Sequence, residues 1–412
     1  MRKSLHLMTY ILLLSTVVAF ANERTENNGN LILKNIPLIP ESIEQDLTQY
    51  QNVRSAPFRG FNKEGDEIFI TTRFGNVSQL HRVRKQGGAR EQITFFDEPI
   101  GSISRKPGGK SIAFTMDAGG TENNQIFLLD TEDGSSVMLT DGRSRNGGPL
   151  WEKNGSRIAF QSTRRNGQSN DVWMMDSKDS NSAEMILESP DGTWWGPSDW
   201  SKDGKKILIQ NYISITNSKA YILDVESKKK EMILGSSEIE SYNAVLSFDR
   251  SQNGVFFLTN EYGEFNQLAH KDLKTNVVTV LTKDIPWDID GFAISSDHKR
   301  AAFTVNEGGM SSLYLMDTSS MKYRKVKSIP IGLIGGTQFS EDGSKLGLTI
   351  NSYQTPSDSY VLDLKNNPLL YGDLNRWTVS EIGGLDVSEF VEPKLISYQS
   401  FDGKMIPAFI YA

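Results

Sequence analysis

The residues that could carry hydrolytic chemistry in this chain are few and poorly spaced for it. Among 412 residues there are four histidines, His6, His81, His270 and His298, and no cysteine. An activated serine commonly sits in a Gly-x-Ser-x-Gly turn that holds its hydroxyl clear of the backbone. Gly101-Ser-Ile-Ser-Arg105 and Gly196-Pro-Ser-Asp-Trp200 both miss that pattern. His81 and His270 fall in strand-like runs and His298 in a turn, so no Ser/His/Asp triad is expected. There is no His-x-x-x-His pair, and Asp288-Ile-Asp290 is too sparse for a calcium loop, so neither cofactor nor metal is expected. Without cysteine, thiol catalysis, disulfides and zinc-thiolate sites are excluded.

What remains is recognition chemistry, meaning guanidinium groups, aromatic rings and carboxylates in loops. Arg73 and Phe74, Arg164 and Arg165, Trp194 and Trp195, and Glu261 and Tyr262 form a set expected to face substrate. Tyr212, Glu307, Glu98 and Trp287 occupy comparable loop positions. Adjacent tryptophans point to opposite sides of an extended chain, so one ring of Trp194-Trp195 is expected to pack inward.

The elements that position these residues follow from a repeat. Trp151-Glu-Lys-Asn-Gly-Ser-Arg-Ile-Ala-Phe160, Trp200-Ser-Lys-Asp-Gly-Lys-Lys-Ile-Leu-Ile209 and Phe339-Ser-Glu-Asp-Gly-Ser-Lys-Leu-Gly-Leu348 are copies of one strand-turn-strand unit. The turn position recurs at Gly65, Gly109, Gly155, Gly204, Gly254, His298 and Gly343, a period of about 46 residues. An apolar run closed by aspartate follows six of them, at Asp130, Asp176, Asp224, Asp272, Asp317 and Asp363. Asp-Gly and Asn-Gly are strong hairpin signals, and runs such as Ile126-Phe-Leu-Leu129 imply strands buried on both faces. Seven four-stranded units of this kind predict an all-β, seven-bladed β-propeller over residues 57–384. In that topology the chain enters and leaves on the face carrying the loops between second and third strands. The candidate residues above share that face.

Residues 1–21 read as a signal peptide, with Arg2 and Lys3 before an apolar stretch and Ala19-Phe20-Ala21 as the cleavage site. The stretch is too short for a membrane span, so export to a periplasm or the medium is expected, with no membrane attachment after cleavage. Residues 22–56 form an extension in which Pro40–Tyr50 reads as a short helix, with Ile43, Leu47 and Tyr50 on one face. A net charge of -7 without a basic run argues against nucleic acid. Residues 385–412 lie outside the repeat and read as a hairpin, Leu395 to Ser400 and Met405 to Tyr411, joined at Asp402-Gly403.

The blade signature resembles TolB-like propellers. Two stretches narrow the resemblance. Thr72-Arg-Phe-Gly-Asn-Val-Ser-Gln-Leu-His-Arg-Val83, followed by Gly87-Gly-Ala-Arg-Glu-Gln-Ile-Thr-Phe-Phe96, is similar to the first blade of prolyl oligopeptidase family serine peptidases. Ile396-Ser-Tyr-Gln-Ser-Phe-Asp-Gly-Lys-Met-Ile-Pro-Ala-Phe-Ile-Tyr411 resembles the first hairpin of their α/β-hydrolase domain. The resemblance implies a propeller that gates access of short peptides to a hydrolase domain, whose triad would lie beyond residue 412. The expected partner is thus the chain's own hydrolase domain, with short peptides as substrates and this portion inactive alone. The competing reading is a free-standing periplasmic propeller that binds a protein or ligand.

Overall fold

The computed structural model describes residues 23–327 and 329–412. The signal-peptide reading of residues 1–21 lies outside them. The chain divides into two compact units, ending and starting at Gln51 and Asn52.

In the first unit, a hairpin of Glu23–Glu26 and Leu31–Lys34 precedes an α-helix, Glu41–Gln51. The helix starts just after Pro40, whose fixed φ and missing N–H suit that position. Glu41 and Glu44 sit in its first turn, where acidic groups complement the helix dipole. The hairpin is not legible in the sequence, because its strands are short and its connection, residues 27–30, is not a standard two-residue turn.

The second unit carries seven antiparallel four-stranded sheets, each in the order in which its strands occur. The chain is thus a seven-bladed β-propeller. The first strands of the blades are Phe58–Phe61, Ile100–Arg105, Asn146–Trp151, Trp194–Trp200, Asn243–Phe248, Ile289–Ile294 and Leu333–Phe339. Second strands are buried along most of their length, as in Ile68–Thr72 and Gly254–Thr259. Their alternate residues serve two seams: Ile158 and Phe160 face blade two, and Ala159 between them faces blade four. Among the described residues the core is divided into seven apolar clusters, one in each gap between neighbouring blades. The ring is therefore held by blade-to-blade packing around an open axis.

Small polar devices repeat with the blades. Asp130, Asp176, Asp272 and Asp317 accept the backbone N–H two residues on, ending their third strands; Asp272 also accepts the one three residues on, as Asp224 does. Asp363 departs from this and takes the amide of Asn375. Trp151 and Trp200 donate their indole N–H groups to the first strand of the preceding blade, at Ser104 O (3.0 Å) and Leu150 O (3.2 Å).

Two turn assignments need correction. The left-handed residue of the turn between first and second strands is Gly65, Gly108, Gly155, Gly204, Gln252, His298 and Gly343 in blades one to seven. Blade two uses Gly108 rather than Gly109. In blade five Gly254 already belongs to the second strand, and Gln252 takes the positive φ.

Blades one and seven do not share a strand. A separate two-residue ladder pairs Val53 with Ile382 and Arg54 with Glu381. Arg90 spans the same seam, donating to Arg54 O (3.1 Å) and Val379 O (2.7 Å). Phe58 packs so closely over Gly347 that a Cβ there would fall within the ring.

Candidate functional site

Because each sheet runs in chain order, the loops between second and third strands and the starts of first strands lie on one face. The sequence places its recognition residues there, and the structure sorts them into three groups.

On blade one, Phe74 is exposed, with its ring 5.1 Å from His81 and the Arg54 guanidinium 5.6 Å from its centre. Arg73 is half-buried beside it. On blade three both arginines are engaged. Arg164 lies over the Trp173 ring at 5.1 Å and pairs with Asp141 at 3.4 Å. Burial raises the pKa of Asp141, but bonds from Ser144 and Arg143 N–H, together with Arg164, bring it down to about 2. Arg165 grips the buried Asp171 with two bonds, 2.8 and 3.0 Å, and reaches Glu188 at 3.1 Å. These arginines hold loops, and an unpaired Asp171 would be a buried charge.

The third group is a built feature. Trp194 opens the first strand of blade four and stands opposite Tyr212 in the neighbouring strand, Lys206–Ser214. Tyr242 approaches from the start of blade five. With Gln210 and Ala244 these rings line an open notch of about 340 Å³. Gly196 makes room for Trp194, whose ring occupies the place of a side chain there. The neighbouring loop is tied to this corner: Ser241 Oγ donates to Glu261 (3.2 Å), and Tyr242 N–H to Asn260 (2.9 Å). Glu261 and Tyr262 thus stand exposed beside the notch. Partial burial, then the Glu261 charge, raises the Tyr262 pKa.

Trp195 corrects the expected site. It is 2% exposed against 38% for Trp194. It packs in the seam between blades three and four, 5.1 Å from the Tyr221 ring and under Lys230 Nζ at 4.3 Å. Strand alternation drives one of two adjacent rings inward, and Trp195 is that one. Tyr242 went unnoticed in the sequence. Its signal was its register: it precedes Phe248 by the same six residues that separate Trp194 from Trp200.

The terminal hairpin, Lys394–Gln399 and Met405–Ile410, is on this face too. It sits on the Gly308-Gly309 turn of blade six, both glycines having positive φ. A Cβ on Gly308 would lie 3.6 Å from Pro407 and 3.8 Å from Leu395, and one on Gly309 would lie 2.7 Å from Phe409. The opposite side of the hairpin, with Ile396, Tyr398 and Ile410, is exposed, as is Phe401 at its tip.

Among the described residues no hydrolytic triad is assembled. The His81 and His298 rings bond to Gln79 O and Phe248 O, each 3.0 Å. His270 meets Asp249 at 3.1 Å, and Ser251 bonds that aspartate from its other side, so the carboxylate separates hydroxyl from imidazole. Among the described residues no group of three or more acidic or histidine side chains could hold a metal. No helix among them is long and apolar enough to cross a membrane.

A ring of seven antiparallel four-stranded blades defines the class of protein. Residues 97–370 match the family model for the prolyl oligopeptidase N-terminal beta-propeller domain, and the chain belongs to that family. It is similar to prolyl oligopeptidase B from Galerina marginata, with a TM-score of 0.71 at 14% identity over 90% of this chain and 56% of that one. A structure from a study of two prolyl endopeptidases gives the same TM-score and coverage at 13% identity. Among curated proteins, an uncharacterized peptidase, YuxL of Bacillus subtilis, is 26% identical over 44% of this chain and 25% of its own length. An uncharacterized protein of Agrobacterium fabrum, Atu1656, is 31% identical over 32% of this chain and 43% of its own. The chain therefore spans less than half of either curated relative.

Proposed function

We propose that this chain is the substrate-gating propeller of an exported serine peptidase that cleaves short peptides. The observation that carries this reading is the terminal hairpin, seated on blade six beside the loops that a peptide would meet, with its outer side apolar and uncovered. A two-stranded ribbon is marginal alone and calls for further sheet to pair with. An α/β-hydrolase domain continuing from it would cover the channel and bring a serine nucleophile over this face. Trp194, Tyr212 and Tyr242 would then receive an apolar side chain of the peptide, with Glu261, Tyr262, Arg73 and Phe74 offering polar and aromatic contacts nearby. Arg164 and Arg165 would shape the same rim by holding its loops. The N-terminal segment, positive and then apolar, supports export to a periplasm or the medium.

On this reading the 412-residue chain is inactive by itself. Incubated with peptide anilides and a fluorophosphonate probe, it is expected to release no aniline and carry no label. A labelled serine within residues 23–412 would overturn it.

A further inference from the structure

The opposite end of the channel has a different character. A cavity of about 800 Å³ opens there, lined by first-strand ends and first turns from blades two to seven. Elements so widely separated around a ring come together only near its axis, so the cavity is the channel's second mouth.

Its lining is cationic. Arg105, Lys153, Lys202, Arg250 and Lys299 face Asp297 and Glu341, in a chain of net charge -7. Three of the cations are matched: Arg105 by Glu341 across the mouth, Lys153 by Asp199, and Lys299 by Asp297. Lys202 and Arg250 are exposed and pair with no carboxylate among the described residues. Cations collected in a concave, partly enclosed site focus their field into it.

The backbone carrying them is held in place at a cost. Gln252 and His298 occupy left-handed positions, φ 60° and 56°, where five other blades use glycine. Such geometry costs a residue with a Cβ about 1–2 kcal/mol. Both side chains brace neighbouring turns: Gln252 accepts the Lys202 N–H at 2.7 Å, and His298 Nδ1 lies 3.0 Å from Phe248 O. Strain that persists inside a binding-sized cavity points to a positioned site.

We propose that this mouth selects peptides by charge, drawing in those that carry carboxylates, with Lys202 and Arg250 as the receiving pair. The inference rests on the peptide-handling reading above, to which it adds the class of substrate. Three labelled peptides of one length test it on the purified chain by fluorescence anisotropy: glutamate-rich with a free C-terminus, the same sequence amidated, and an amidated glutamine counterpart. Affinity is expected to fall in that order, by about tenfold from first to last, and to level out in about 0.3 M salt. The Lys202→Glu/Arg250→Glu variant should lose the preference while keeping its melting temperature and its affinity for the glutamine peptide. Equal affinity for all three peptides, or a preference that survives in the variant, overturns charge selection and leaves peptide binding intact. Binding of none of them overturns both.

Discussion

Two adjacent tryptophans show how much one residue's direction decides. Trp195 fills the seam between blades three and four, so Trp195→Ala is expected to cost about 3–5 kcal/mol of stability. Trp194→Ala removes a ring from an open notch and should cost less than about 1 kcal/mol, while weakening binding of an apolar peptide about tenfold. Urea midpoints and a fluorescence titration separate the two. Acidification acts on buried imidazoles. Burial lowers the pKa of His81 and His298, aided by the charges of Arg90 and Lys153 respectively. As pH falls through about 6.5 the unfolded chain therefore takes up protons first, and each histidine removes up to about 1.4 kcal/mol per pH unit until its folded-state pKa is reached. Urea midpoints should drop as pH falls through about 6.5, the unfolded-state histidine value, and His81→Asn should shrink the drop. An unchanged difference in that variant would show that His81 is not among the groups responsible.

The elements were legible wherever local chemistry and the repeat agreed. Asp-Gly and Asn-Gly turns, aspartate-closed third strands and doubly buried second strands can each be read from a few neighbouring residues. The blades could therefore be laid out without any long-range information. Contacts between elements were not legible in this way. Arg165 is a free cation in the sequence and a clamp on Asp171 in the fold, and Tyr242 joins the notch only because blade five leans against blade four. Gln252 escaped notice because a nearby glycine, Gly254, drew the turn assignment away from it. The closure of the ring is a long-range matter too. A Cβ at residue 347 would enter the Phe58 ring, so Gly347→Ala is expected to destabilise the protein by about 1–3 kcal/mol. Adding Phe58→Leu should return part of that loss, and a double-mutant cycle in urea checks it. Strictly additive losses would mean that the two residues do not meet.

On the scale of the whole molecule, the two mouths of the channel divide the chemistry between them. One face carries an aromatic notch on blades four and five and the hairpin seated on blade six; the other mouth is rimmed by cations. The ring joining them is uniform except at one place. Six of its gaps lie between blades that follow one another along the chain, whereas the gap between blades seven and one has no such chain link and is closed by its apolar cluster, the Ala56–Ser357 backbone bond, a two-residue ladder, the Arg90 bonds and the Phe58–Gly347 contact. Under mechanical load this makes the molecule a latched hoop. Tension applied at Val53 and Ile382 pulls directly across the latch, separating its bonds in succession while every blade keeps its own sheet intact. The hoop thus yields first at that latch, widening as an opened bracelet does, before any blade begins to peel.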